Sequence, residues 1–373
     1  MTPRSRFAQL TIAAVFVLIA LPVITLIADD AVDLGKINDG PYLFWQPDSS
    51  AAVYYVCDGE LRADTLAPAD TLRIMADCDG STWLRIPTVR PTPPPDSFAN
   101  VEKIVAVSDI HGEYDAFVDI LRTCGVIDSD GKWAFGAGHL VVDGDVFDRG
   151  DGVTESLWLI YRLEQEALAA GGRVHFTLGN HEAMVLRGDE RYVNDKYLRG
   201  IVARTGIEYR NLYGPKTELG RWLRTRPTMV RINDVLFVHG GLSPELMGKE
   251  LGRGEVNRKM WEALDLDSDG LRSDTLAAFL LKSYGPLWYR GMLRDYKDRY
   301  DRLDSSQVAA VLESYGVSAV VLGHSELDEV KPHYGGLVYS VDVPLEDLGS
   351  FQALLWEDGQ FYRISGTGER RPL

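Results

Sequence analysis

Five times between residues 103 and 324 an aliphatic run ends abruptly on side chains of the kind that bind metal ions. The segments are Ser108-Asp109-Ile110-His111-Gly112, Gly144-Asp145-Val146-Phe147-Asp148-Arg149-Gly150, Gly179-Asn180-His181-Glu182, Val238-His239-Gly240-Gly241 and Leu322-Gly323-His324. Short aliphatic runs bounded by turn residues read as buried strands. Helical stretches are expected at about 114–124 and 154–170, between the first three runs. This βαβαβ alternation predicts a mainly parallel sheet with ligands at the carboxyl ends of its strands. A hairpin of 229–232 and 235–238, joined by Asn233-Asp234, delivers His239, and the run 318–322 delivers His324. The expected fold class is α/β, two packed mixed β-sheets flanked by helices.

The residue types fit one chemistry. Hydrolysing a phosphate monoester at neutral pH needs a nucleophilic hydroxide, neutralised phosphate oxygens and a proton for the leaving group. Two divalent ions roughly 3.5–4 Å apart supply the first two. A shared carboxylate offsets the repulsion between them, and Asp145 is the candidate bridge. Asp109 and His111 alternate where a strand gives way to a loop, so both can turn to one ion while Ile110 enters the core. Asp109, His111 and Asp145 are expected at the first ion, and Asn180, His239, His324 and Asp145 at the second. A nitrogen and oxygen donor set without thiolates suits Mn, Fe or Zn. Arg149 offers a planar fork of donors for phosphate oxygens. His181 is placed to protonate the leaving oxygen, and Asp148 to hold its other ring nitrogen and raise its pKa.

These five ordered motifs resemble the phosphoprotein phosphatase branch of the calcineurin-like metallophosphoesterases, whose signatures read GDxHG, GDxxDRG, GNHE, HGG and GH. Ser108 replaces the first glycine. The resemblance covers residues 101 to 345 and implies the two-sheet sandwich fold. The stretches from Met184 to Val193 and Gly285-Pro286-Leu287-Trp288-Tyr289-Arg290 look like the bacterial Shewanella-like phosphatase subgroup. The wider family carries a second phosphate-binding arginine between the last two histidine motifs, which here implies Arg290. An arginine beside Trp288 and Tyr289 could instead stack on an aromatic ring.

Other features are read more plainly. His139 and His175 flank or occupy strands and are expected to be packed scaffold residues, and His333 to belong to a turn before the next strand. Asp265-Leu266-Asp267-Ser268-Asp269-Gly270 copies the first half of an EF-hand loop, but Leu276 stands where the bidentate Glu is required. A solvated loop is expected there.

At 373 residues the chain can hold one large and one small domain. Residues 100–365 are expected to form the catalytic domain, with a helical cap at about 244–315 and a flexible tail at 366–373. Residues 35–90 alternate and turn like a small antiparallel β module, with strand-like runs at 41–45, 52–56, 71–75 and 83–86. The prolines between 87 and 99 read as a stiff linker. A net charge of −16, with no basic patch interleaved with aromatics, disfavours nucleic acid as a partner. Arg4 and Arg6 precede nineteen residues, 10–28, whose only polar members are Thr11 and Thr25. That run exceeds a signal core of about 7–15 residues and approaches a membrane span of about 20, so residues 1–30 read as an anchor or signal segment. The amino-terminal charges place the remainder outside the cytoplasm, on the inner membrane or free in the periplasm. Cys57 and Cys78 suit a disulfide there, while Cys124 is expected buried and free.

The expected activity is metal-dependent phosphomonoester hydrolysis of a phosphorylated protein or small phosphoester by attack of a bridging hydroxide. Resemblance alone favours phosphotyrosine. The alternatives are a nucleotide hydrolase such as a dinucleoside-polyphosphate pyrophosphatase, and a membrane-tethered binding protein. Oligomeric state is not readable.

Overall fold

Burying the aliphatic runs on both faces builds two six-stranded sheets. In this computed structural model, residues 36–345 and 351–373 are described, all within a unit that runs from Asp33 to Leu373. The expected anchor at 1–30 lies outside the described residues; among those described, no helix is long and apolar enough to cross a membrane.

The chain opens with β1 (Asp39–Trp45), β2 (Ala51–Cys57) and β3 (Glu60–Leu66), paired antiparallel in that order, then the two-stranded β4 (Thr71–Met75) and β5 (Trp83–Pro87). The strand β3 was absent from the sequence reading. Every residue of it but Leu66 is exposed, so no hydrophobic alternation marks it. The signal lay in Asp58-Gly59, whose φ values of 52° and 74° suit a tight hairpin turn. Cys57 and Cys78 form the expected disulfide, and Cys124 is buried and free.

The proline-rich stretch ends in β6 (Ser97–Phe98), which pairs parallel with a later strand. Next come β7 (Lys103–Val107), α1 (Tyr114–Thr123), β8 (His139–Val142), α2 (Val153–Ala169), β9 (Arg173–Phe176) and α3 (Asn180–Leu186). The hairpin β10 (Met229–Ile232) and β11 (Val235–Val238) is followed, after several short helices, by β12 (Ala319–Leu322), β13 (Lys331–His333) and β14 (Val338–Ser340). The chain closes with β15 (Gln352–Glu357), β16 (Gln360–Ser365) and β17 (Arg370–Pro372). One sheet has the order β17-β16-β15-β7-β8-β9 and the other β13-β14-β12-β11-β10-β6. Both are mixed: β7, β8 and β9 run parallel, whereas β15, β16 and β17 are antiparallel additions. Ile104, Ala106 and Val141 of the first sheet share a buried cluster with Val230, Ile232, Phe237 and Val321 of the second. Each Ile, Val or Phe among them contributes roughly 1.5–3 kcal/mol on burial.

Three local expectations change. The EF-hand-like segment is not a loop, because the Asp267 carboxylate accepts from Gly270 N at 2.7 Å and starts a helix, Ser268–Ser273. His333 closes β13, with the turn falling after it. The last residues pair as an edge strand rather than trailing as a tail.

His139 and His175 are scaffold residues, as expected: their rings share a hydrogen bond of 2.9 Å, and Phe98 packs edge-on against both. Burial, then Arg173, pushes His139 down to about 4, and burial, then His139, lowers His175 well below its ordinary value. Imidazoles held neutral in the folded chain take up protons at about pH 6.5 only when it unfolds. Their contribution is therefore complete above about pH 6.5 and lost as pH falls toward 4. Thermal unfolding should show the midpoint dropping by several degrees between about pH 7 and 5, and a His139→Leu/His175→Leu double variant should drop less.

Candidate metal centre and phosphate site

The expected ligands sit where strands end. Asp109 and His111 follow β7, Asp145 follows β8, Asn180 and His181 open α3 after β9, His239 follows β11 and His324 follows β12. Six site residues hold a left-handed backbone: Asp109 (φ 53°), His111 (47°), Asp145 (55°), Asp148 (72°), Arg149 (66°) and His324 (61°). Each such residue costs of order 1–3 kcal/mol and persists only where its surroundings over-determine it. The gain is a sharp turn at each strand end that aims successive side chains at one point. Gly144 lets these loops meet, since a Cβ there would lie 2.7 Å from the Gly179 backbone and 2.8 Å from His239 Nδ1.

Two groups of three donors result, each within 4.8 Å: His111 with Asp145 and His181, and Asp145 with His239 and His324. Asp145 belongs to both, as a bridge must. Asn180 joins the second, its Oδ1 lying 3.1 Å from His239 Nε2. Asp109 adjoins the first. Its Oδ1 is 3.8 Å from His111 Nε2, while Oδ2 accepts from Ser108 Oγ at 2.6 Å and His324 N at 2.9 Å.

Hydrogen bonds on the far ring nitrogens orient two histidines so that these residues fit cations. His239 Nδ1 can only donate to the Asp143 carbonyl, at 2.7 Å, which leaves Nε2, 3.1 Å from Asp145 Oδ2, to hold either a proton or a cation. Likewise His111 Nδ1 donates to the Phe147 carbonyl at 2.8 Å and turns Nε2 toward Asp109 and Asp145, each at 3.8 Å. Acceptors facing acceptors repel unless a positive charge lies between them, and a carbonyl that orients the far nitrogen is the usual support of a metal-bound histidine. Burial alone would depress His239, but Asp145 and Asp109 reverse that and raise it well above its ordinary range.

His181 Nδ1 pairs with Asp148 Oδ2 at 2.5 Å. Burial opposes protonation of His181, but Asp145 and the Asp148 bond outweigh it and the pKa rises. Arg149 and Arg290 line the same cleft of about 510 Å³ as Asp109, Asp145, His181 and His324. The Arg290 guanidinium donates to the His324 carbonyl, so this arginine turns to the metal groups.

Two residues of this region carried no assigned role in the sequence reading. Glu182 is fully buried and accepts from Asp145 N and Val146 N at 2.8 Å, Gly179 N at 2.7 Å and Phe147 N at 3.3 Å. Burial and then the Asp145 charge push it up to about 7, against those donors. Asp143 is fully buried behind the site, raised by burial to about 7, and accepts from Thr177 Oγ1 at 2.6 Å. The acids in Gly179-Asn180-His181-Glu182 and Asp143-Gly144-Asp145 are visible in the sequence, but the partners of Glu182 are backbone groups, and that of Asp143 is a threonine 34 positions away, which no local pattern announces.

A family model described as calcineurin-like phosphoesterase matches residues 102–325, more than half of the chain and all of the donor residues. The chain belongs to the calcineurin-like phosphoesterases. It is a metallophosphoesterase with a site for divalent metal ions. This phosphoesterase is similar to Shewanella-like protein phosphatase 1 of Plasmodium berghei, at 30% identity over 224 residues, 60% of this chain and 61% of that protein. Shewanella-like protein phosphatase 2 of Arabidopsis thaliana is 39% identical over 101 residues, 27% of this chain and 26% of that protein. The match thus spans less than two thirds of either relative. Among solved structures, the cold-active protein-tyrosine phosphatase of a psychrophilic Shewanella species superposes with a TM-score of 0.84. It is 35% identical, over 91% of this chain and 100% of that one.

Proposed function

We propose that this phosphoesterase is a protein phosphatase that prefers phosphotyrosine. The observation carrying the reading is the likeness, over the whole of that neighbour's chain, to a protein-tyrosine phosphatase. The cleft supports it with two metal-donor groups, two arginines and a paired histidine in one space.

Asp109, His111 and Asp145 would hold one ion, and Asn180, His239, His324 and Asp145 the other. Bound there, the ions supply an activated water and neutralise charge on the phosphate oxygens. Mn, Fe and Zn suit the donors. The protein's own side chains do the remainder. Arg149 and Arg290 bind and orient the phosphoryl oxygens through their planar forks. His181, its Nδ1 held by Asp148, gives the Nε2 proton to the leaving oxygen as the P–O bond breaks and water's oxygen joins phosphorus. The proton is recovered from that water. His181 falls within the first donor group as well, but the Asp148 carboxylate on its Nδ1 favours the proton-donor role over that of a ligand. An extracytoplasmic location is part of the proposal. The Cys57–Cys78 disulfide and the apolar run at 10–28 support it.

Hydrolysis of phosphotyrosine and phosphoserine peptides and a dinucleoside tetraphosphate, with added Mn²⁺ or with chelator, tests the reading. Metal-dependent cleavage favouring the phosphotyrosine peptide is expected, with activity falling to background in chelator. His181→Ala should lower kcat by about 10²–10⁴. Preference for the dinucleotide would move the chain to the nucleotide hydrolases.

A further inference from the structure

Tyr192 carries an exposed aromatic ring beside the proton donor. Its surface is 50% exposed, where most large apolar side chains of this chain are covered. Its ring centroid nevertheless lies 5.4 Å from that of His181, at an interplanar angle of 47°. The Arg191 guanidinium sits 5.6 Å from the ring centroid and makes a two-pronged contact with Asp189 at 2.8 and 2.7 Å.

The backbone is equally constrained. Arg149 N donates to the Tyr192 carbonyl at 2.9 Å, and Asn194 Nδ2 donates to the Arg149 carbonyl at 2.7 Å. Tyr192 therefore keeps a set position relative to both Arg149, which takes the phosphate, and His181, which protonates the leaving oxygen. A leaving group whose oxygen meets His181 has the Tyr192 ring within reach of its carbon skeleton. A phenyl ring leaving there meets an aromatic face, which the short chain of a serine ester cannot use. Offset and tilted ring pairs are favourable at centroid distances of about 4.5–7 Å.

We propose that Tyr192 is the residue that selects aryl leaving groups, and hence phosphotyrosine, by packing against the departing phenyl ring. This rests on the roles given above to Arg149 and His181. It separates the residue from Tyr296, which lines the cleft together with Arg290 and Arg294.

The test compares wild type, Tyr192→Leu, Tyr192→Phe and Tyr296→Leu in the full chain with metal, on two substrate pairs. Phenyl phosphate with glycerol phosphate, and phosphotyrosine with phosphoserine peptides of one sequence, each contrast an aryl with an alkyl ester. Tyr192→Leu should lose about three- to tenfold in kcat/KM on the aryl ester of each pair and leave the alkyl ester unchanged. Tyr192→Phe should retain the wild-type ratio. Equal losses on both esters would reduce Tyr192 to a prop for the Arg149 loop and overturn the proposal. An unchanged ratio, or a fall in Tyr296→Leu alone, would overturn it as well. If wild type cleaves the small esters but neither peptide, the protein-phosphatase reading fails while the small-ester ratio still decides Tyr192. Absence of turnover on every ester overturns both.

Discussion

Asp145→Asn is expected to abolish phosphomonoester hydrolysis, lowering kcat/KM by at least about a thousandfold, while the chain still folds. That factor corresponds to roughly 4 kcal/mol of lost transition-state stabilisation, within what two bound cations supply. Asp145 is the one carboxylate in both donor groups, and its Oδ2 lies 3.1 Å from His239 Nε2 and 3.8 Å from His111 Nε2. An asparagine keeps the shape and removes the charge. Without that shared charge the repulsion between two cations held side by side is poorly offset, so the variant should also bind less metal. Steady-state hydrolysis and metal content after dialysis measure the two effects together. A variant that keeps both its metal and its rate would show that the bridge lies elsewhere.

Glu182→Gln should act through the backbone. The carboxylate accepts from four N–H groups in two loops, those of Asp145, Val146, Phe147 and Gly179. A glutamine has one acceptor oxygen, and its NH₂ group would face N–H donors. Each buried donor left unpaired costs about 1–3 kcal/mol, so the variant should lose about 3 kcal/mol or more. Urea unfolding reads that loss as a lower midpoint at unchanged slope. Activity should fall as well, because the same N–H groups set the left-handed turn that aims Asp145. A fully stable, fully active variant would mean that these loops hold their form without the carboxylate.

Much of the site is legible in the sequence. A divalent-metal site needs oxygen and nitrogen donors converging from several strands. Strands of a mainly parallel sheet end on one side, so an aliphatic run followed by Asp, Asn or His announces both the element and the direction of its side chain. For the same reason β7, β8, β9, β11 and β12 were readable, and the hairpin before His239 fell within its expected bounds. The pairing of Cys57 with Cys78 was readable because two cysteines in one small segment have few other partners.

The strand β3 was not readable, because a strand exposed on nearly every residue bears no periodic signal. Nor was the role of Glu182, whose partners are amides that every residue has.

The sequence alone determined the donor types, their order along the chain and their delivery at strand ends, because these depend on local periodicity and on the chemistry of single side chains. Only the tertiary structure decided the rest. His181 comes to lie with His111 and Asp145, four loop amides meet on Glu182, and Tyr192 stands open against His181. Each of these joins residues tens to hundreds of positions apart or sets a ring at a chosen angle, and such relations follow from the packing of two sheets and their loops, which no local pattern encodes.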